Sequence, residues 1–163
     1  AMLGTGLADA AIVAWDAKYE YNTWRPITAI RQGDFDGNPL TVGDAAWEPL
    51  LTTPNFPAYT SGHSTFSSAA ATILAQFFGT DSIDFTASSD GITRSFNSLW
   101  AAAEEAGMSR IYGGIHFQAD NIAGLSSGRE LGLYLASTHF TIPTPGAAAA
   151  FALAGLTFAR RRR

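Results

Sequence analysis

Residues 56–78, FPAYTSGHSTFSSAAATILAQFF, join a polar turn to an apolar run with helical spacing. Ser61 is a favoured residue at the start of a helix, and Gly62 lets the backbone approach a ligand closely. The first N–H groups of a helix are unpaired and can bind an anion. Taken alone, the Ser61-Gly62-His63 triplet still favours an ordinary capped helix. We predict a helix over 64–78 that ends at Gly79.

Apolar residues recur at helical spacing in other parts of the chain as well. We predict further helices over 7–24, 92–107 and 121–137. Within the last of these, three glycines spaced four residues apart indicate close packing of one helix face; they are Gly124, Gly128 and Gly132.

The segments between these helices are expected to be loops. Pro26 makes Arg25 a boundary, and 80–91 has the composition of a polar linker. Residues 32–60 contain many prolines and glycines, which is long for a connection without structure. We therefore expect this loop to serve a function, as a wall or a lid.

The composition bounds the class of protein. The 163 residues suffice for one domain with a sizeable core, and abundant alanine and glycine suit close-packed helices. The formal net charge is −4, and four of the ten basic residues form the terminal run 160–163. The body therefore has no basic face of the kind expected in a nucleic-acid binder. The absence of cysteine excludes disulfides and thiolate metal sites.

A set of cationic and imidazole side chains follows a pattern along the chain. Lys18 and Arg25 lie about two helical turns apart, so they can face the same side. Arg110 suits bidentate contacts with an oxyanion, and two glycines precede His116. Together with Ser61-Gly62-His63, this set suits a tetrahedral oxyanion of the phosphate type. Taken separately, Lys18 and Arg25 could also form an ordinary solvated face.

Asp120 lies one helical turn beyond His116. Its carboxylate can accept a hydrogen bond from the second imidazole nitrogen and fix the tautomer of the ring. It can equally cap the following helix, and both roles can hold together.

The order of these motifs resembles that of a known superfamily. The pattern K-x6-R-P, then S-G-H, then S-R-x5-H-x3-D is similar to the one shared by type 2 phosphatidic acid phosphatases and vanadium-dependent haloperoxidases. The haloperoxidase branch is the more similar in KYEYNTWRPITAIR at 18–31, FPAYTSGH at 56–63, and Asp44, Trp47, PLL at 49–51 and TP at 53–54. Thr60 stands where the branch usually has proline. The resemblance covers 18–137.

The resemblance implies a fold and a set of site residues. The fold would be an all-α helical bundle. The residues matching Lys18, Arg25, Ser61, Gly62 and Arg110 would hold the oxygens of vanadate or phosphate. The residue matching His116 binds vanadium in the haloperoxidases and attacks phosphorus in the phosphatases. The residue matching His63 is the acid–base group.

The function implied first is that of a vanadium-dependent haloperoxidase. With vanadate as cofactor, it would use hydrogen peroxide to oxidise a halide to hypohalous acid, or would act on an organic acceptor. A soluble acid phosphatase with a phosphohistidine intermediate and no vanadate is the alternative. An inactive, surface-displayed fragment is a second alternative, and a homo-oligomer is left open.

The two ends of the chain carry separate expectations. We expect 1–140 to be the C-terminal part of a larger catalytic domain, because Ala1 is not a start residue and no signal peptide precedes the first helix. The tail, 141–163, has prolines, a short apolar run and terminal arginines, and it resembles a PEP-CTERM sorting signal. That would imply bacterial export to the cell surface and a sorting machinery as partner. A short membrane anchor or a disordered basic end are the alternatives.

Overall fold

The computed structural model describes residues 1–89 and 91–139. Its helices are α1 (Met2–Tyr21), α2 (Pro26–Arg31), α3 (Gly62–Phe78), α4 (Leu99–Tyr112) and α5 (Gln118–Thr138), with a short 3₁₀ turn at Gly33–Phe35. A hairpin of β1 (Phe85–Ser89) and β2 (Ile92–Phe96) precedes α4. The prediction of a helical bundle is confirmed, with this hairpin as an addition.

Helix α3 is the central element, because α1, α4 and α5 all pack against it. Its contact with α5 is extensive and consists of small residues on both sides. A Cβ atom at Gly128 would lie 2.1 Å from Ser68 Oγ, and one at Gly132 would lie 2.8 Å from Thr72 Cβ. The predicted glycine face is therefore confirmed: the two backbones approach so closely that any side chain would collide.

The first helix ends and the second begins within a few residues. Helix α1 ends at Tyr21, three residues earlier than predicted, because Asn22 adopts a left-handed conformation with φ 44°. Pro26 is the first residue of α2, a position where its missing N–H is not needed. The predicted boundary at Arg25 is thus a short turn between two helices.

The prediction for 80–107 is wrong in its first half. Residues 92–96 form a strand rather than the start of a helix, and part of the predicted linker is the strand that pairs with it. Phe85 and Phe96 stack with ring centroids 5.3 Å apart. Helix α4 begins at Leu99 because Ser98 Oγ accepts from Ala101 N–H, and Asp81 accepts from Trp100 N–H.

The long loop before α3 is held against the bundle at both ends. Leu51 N–H donates to Gly113 O at 3.0 Å, which fixes the loop to the end of α4. Ala58 N–H donates to Thr23 O at 3.2 Å, which fixes it to the segment after α1. These two bonds hold the loop beside the ends of α4 and α1, next to Arg110 and Arg25.

The predictions for 141–163 lie outside the described residues and stay predictions. Within the described ranges, no helix combines the length and hydropathy needed to cross a bilayer.

Substitution of Gly128 by alanine tests the close contact between α3 and α5. The new methyl group would meet Ser68 Oγ and Thr65 O, so we expect Gly128→Ala to lower the free energy of unfolding by about 1–3 kcal/mol. Gly4→Ala is the matched control, since nothing lies within 4 Å of its added Cβ and alanine favours a helix. Urea unfolding measures both. An equal effect of the two substitutions would contradict this packing.

Candidate functional site

Residues from α1, α3, α4 and three connecting segments meet around one cavity of about 630 Å³. We call it the site cavity. Its lining comprises Trp15, Arg25, Leu51, Thr52, Pro54, Phe56, Gly62, His63, Phe66, Ser67, Arg110, Ile115 and His116. Five of the predicted site residues are therefore brought together, and Leu51 to Phe56 show that the long loop forms one wall.

His116 lines the site cavity, and a side chain contacts each of its two ring nitrogens. Its Nδ1 lies 3.0 Å from Asp120 Oδ2, and its Nε2 lies 3.0 Å from Arg25 Nη1. Because a guanidinium can only donate, Nε2 must accept and the ring hydrogen must be on Nδ1. Asp120 Oδ2 also accepts from Phe117 N–H at 3.0 Å, so the carboxylate both orients His116 and caps α5. Both roles predicted for Asp120 are present.

The environment keeps His116 neutral. Burial lowers its pKa below the ordinary value of 6.5, the hydrogen bond to Asp120 raises it, and the charge of Arg25 lowers it again. The net direction is downward. At neutral pH Nε2 therefore carries a lone pair, which accepts from Arg25 Nη1 here and which a ligand or an electrophile would take in place of that hydrogen bond.

Arg25 is a buried cation with one unused donor. Its Nε donates to Phe56 O at 2.9 Å and its Nη1 to Ile115 O at 2.7 Å. Its Nη2 is buried and has no hydrogen-bond partner among the described residues. A buried donor without a partner costs about 1–3 kcal/mol, so this atom is placed to bind a ligand acceptor.

Lys18 supports the site from behind the cavity wall. Its side chain is fully buried, and Nζ donates to the carbonyl oxygens of Pro57, Ala58 and Thr60 at 2.6–3.0 Å. Burial and then the charge of Arg25 lower the pKa of Lys18 to about 8, against an upward effect of Asp120. Lys18 is thus charged at neutral pH and contributes its charge, while its three donors hold the loop before α3.

Ser61 and Gly62 occupy different positions in the turn before α3. Ser61 is fully buried, outside the lining of the site cavity, and its Oγ accepts from Ser64 N–H as a helix cap. Gly62 lies on the cavity wall at the first position of α3. Since Thr65 N–H is the donor to Ser61 O, the N–H groups of Gly62 and His63 precede the first intrahelical bond.

Arg110 and His63 both line the site cavity. Arg110 Nε donates to Ser109 Oγ at 3.0 Å, which leaves the terminal guanidinium nitrogens for a ligand. His63 is solvent-exposed at the rim. Partial burial, the charge of Arg110 and then that of His116 lower the pKa of His63 below 6.5. His63 is therefore neutral at neutral pH and can exchange protons with solvent.

An aromatic wall completes the cavity, and the sequence analysis did not identify it as such. The ring centroid of Trp15 lies 5.4 Å from that of Phe56 and 6.4 Å from that of Phe66. Phe56 also lies 5.2 Å from Lys18 Nζ and 5.1 Å from Arg25 Cζ, as in cation–π contacts. Only the spacing of Trp15 and Lys18, one helical turn apart, could have indicated that the two share a face.

The donor set fits an oxyanion. In residues 1–89 and 91–139, no group of three or more His, Cys, Asp or Glu side chains could hold a metal ion. The Nε2 lone pair of His116 lies beside a cradle of hydrogen-bond donors, which consists of Arg25 with its unpaired Nη2, Arg110 and the N-terminal turn of α3. A central atom that bonds to one nitrogen and carries several anionic oxygens matches this chemistry.

Comparisons with known proteins identify the class to which this helical oxyanion cradle belongs. The family model of the VCPO second helical-bundle domain matches residues 1–142, so the chain belongs to this family. The vanadium chloroperoxidase of Curvularia inaequalis is 28% identical in an alignment 172 positions long. The alignment covers 76% of this chain and 28% of that protein. The resemblance to the vanadium haloperoxidases is thereby confirmed.

Solved structures agree with the family. A bacterial vanadium-dependent iodoperoxidase is 41% identical, with a TM-score of 0.74 over 83% of this chain and 32% of its own. A holo-type bacterial vanadium-dependent chloroperoxidase, 21% identical with a TM-score of 0.67, covers 80% of this chain and 33% of its own and shows the shared fold. The chain thus spans about a third of the length of these relatives.

The affinity for an oxyanion that bonds to His116 should fall at both low and high pH. Below its lowered pKa, His116 gains a proton and loses its lone pair; because that pKa lies below 6.5, ligand binding at Nε2 should persist past the point where an ordinary histidine is protonated. Above about 8, Lys18 loses its charge and affinity for an oxyanion should fall. Sulfate, whose charge does not change in this range, is the probe for calorimetric titration of the alkaline limb.

Two substitutions control this experiment. Lys18→Met should remove the alkaline limb, whereas His139→Gln, at the end of α5, should leave the whole profile unchanged. An alkaline limb that survives in Lys18→Met would assign it to another group.

Proposed function

We propose that this chain provides the vanadate-binding site of a vanadium-dependent haloperoxidase that oxidises halide with hydrogen peroxide. The observation that carries the proposal is the arrangement of His116, with Nδ1–H donated to Asp120 and Nε2 facing a buried arginine that has one unused donor. The 41% identity to an iodoperoxidase supports this reading over others.

The residues divide into three groups by their work at the oxyanion. His116 Nε2 would bond to vanadium, and the donors of Arg25, Arg110 and Gly62 would hold its oxygens. Lys18 adds positive charge behind them. The resemblance also implies a contact from Ser61, whose hydroxyl group would have to turn from Ser64 towards the cavity to make it. Bound vanadate would supply a Lewis acid that activates peroxide towards halide.

The chain's own residues prepare this chemistry. Asp120 keeps the ring hydrogen on Nδ1, so that Nε2 presents its lone pair and not a hydrogen. Arg25 is fixed by two backbone carbonyls before any ligand arrives, and each such preorganised donor is worth about 3–4 kcal/mol. His63, neutral and at the rim, can accept a proton from an incoming hydroxyl group and return it to solvent.

An acid phosphatase remains the alternative, because the same geometry suits a nucleophile. His116 Nε2 would form the bond to phosphorus while the bond to the leaving oxygen breaks. His63, once protonated, would give its proton to that oxygen. An inactive fragment is the third reading, since the chain spans about a third of its relatives' length.

The deciding experiment compares two assays on the full-length protein. We expect orthovanadate to bind and to produce peroxide- and bromide-dependent bromination of monochlorodimedone, with no turnover when vanadate is left out. Hydrolysis of p-nitrophenyl phosphate is measured beside it. Robust hydrolysis without vanadate-dependent bromination would replace this proposal with the phosphatase, and the lack of both activities would favour the inactive reading.

Substitution of the two histidines separates binding from turnover. His116→Ala should abolish vanadate retention after gel filtration, because it removes the nitrogen that bonds to the metal. His63→Ala should keep vanadate but lower turnover about 10²–10⁴-fold, the usual effect of a lost acid–base group. His139→Gln is the control for loss of an imidazole elsewhere. Equal loss of vanadate in both site variants would refute the division of roles.

A further inference from the structure

A chain of buried polar side chains lies behind the turn before α3. Ser64 Oγ is 2.9 Å from Ser61 Oγ and 2.7 Å from Asn121 Oδ1, and Asn121 Nδ2 lies 3.5 Å from Met108 Sδ. Ser61 and Ser64 are fully buried, and Asn121 is 2% exposed. None of Ser64, Asn121 and Met108 lines the site cavity.

The direction of each hydrogen bond in this chain follows from its donors. Asn121 Oδ1 can only accept, so the single hydrogen of Ser64 Oγ must point at it. Ser61 Oγ lies within reach of the same hydrogen, at the longer distance of 2.9 Å, and is an acceptor in this contact. Asn121 thereby orients the Ser64 hydroxyl group, which also contacts the residue that caps α3.

These hydrogen-bonded side chains connect three motifs of the site. Asn121 follows Asp120 on α5, and Ser64 belongs to the first turn of α3, beside Gly62 and His63. Met108 precedes Ser109-Arg110 on α4. A direct bond from Ser61 N–H to Asp120 O at 3.0 Å ties the same two helix starts together.

The free energy of unfolding alone does not explain why polar side chains occupy the buried positions of Ser64 and Asn121. A buried polar pair is worth about as much as well-packed apolar residues, and it is costly when one partner is lost. The space for Asn121 also depends on the neighbouring helix, because a Cβ at Gly107 would lie 2.1 Å from Asn121 Oδ1 and 2.9 Å from Ser64 Oγ. The side-chain amide of Asn121 on α5 is thus in close contact with both α3 and α4.

We propose that Asn121 is a positioning residue of the oxyanion site, which through Ser64 holds the Ser61-Gly62-His63 turn in register with the His116–Asp120 pair. It acts through other residues and does not itself touch the ligand. This inference rests on the proposed oxyanion site and adds a residue to it that the motifs do not contain.

The test measures oxyanion affinity and stability separately in the full-length protein. Asn121→Leu and Ser64→Ala should each weaken binding of orthovanadate and of inorganic phosphate by roughly tenfold to hundredfold, as loss of a group that orients site residues typically does. Each also leaves one buried polar group unpaired and should lower the melting temperature. Gly107→Ala should weaken binding in the same way without removing any hydrogen-bonding group.

The double variant Ser64→Ala/Asn121→Leu distinguishes positioning from support of the fold. It leaves neither member of the Ser64–Asn121 bond unpaired, so stability should recover relative to either single variant, while affinity should stay low. Recovery of affinity together with stability would overturn the proposal. The double variant still tests the proposal if Asn121→Leu alone fails to fold.

Ser68→Ala is the matched control, one turn further along α3. Ser68 is fully buried and donates to Gly124 O of α5. It is not one of the buried polar side chains that link Ser61, Ser64 and Asn121. It should lower stability but keep affinity within about twofold of the unsubstituted protein, and an equal loss of affinity would overturn the proposal. If the protein binds phosphate but shows no vanadate-dependent bromination, the proposed haloperoxidase activity is refuted. The phosphate affinities of the same variants would then still test the role of Asn121.

Discussion

The close approach of α3 and α5 is the constraint on which the site depends. Glycines 124, 128 and 132 let the two backbones meet without intervening side chains. Only at this distance can Ser61 N–H reach Asp120 O, which brings the start of α3 beside the start of α5. The turn with Gly62 and His63 then faces His116, although the two motifs are far apart in the chain.

The same cations that hold the loop before α3 leave the site with an excess of positive charge. Lys18 and Arg25 are buried and hold the loop before α3 through its carbonyl oxygens. Burial lowers the pKa of both groups, and the one carboxylate at the centre, Asp120, offsets part of that effect. Two cations beside one carboxylate leave a net positive site in a low-dielectric surrounding. Under the proposed function, an anion with several oxygens would restore the balance, and the unpaired Nη2 of Arg25 is the donor proposed for one of its oxygens.

Much of this molecule was predictable, and the failures have local physical causes. The helix over 64–78 and its end at Gly79 follow from apolar spacing and a glycine with φ 73°. The glycine face and the double role of Asp120 were also predicted. The hairpin was not, because Phe96, Leu99 and Trp100 fit a helical period as well as a strand followed by a capped helix. The pairing of Phe85 with Phe96 and the acceptor Asp81 decided between the two. Sequence reasoning also could not place Asn121 behind the turn, since its partners Ser64 and Met108 come from other helices.

The sequence by itself identified the candidates for the chemistry: cations, two imidazoles and a carboxylate one helical turn from the second of them. Local spacing is enough for that pairing, because residues four apart on a helix start are neighbours whatever surrounds them. Only the tertiary structure decided which of these groups meet. It placed Arg25, His63, Arg110 and His116 on one cavity, left Ser61 as a buried cap, and occupied the three donors of Lys18 with carbonyl oxygens. Those outcomes depend on contacts between distant segments, and such contacts exist only once the helices have packed.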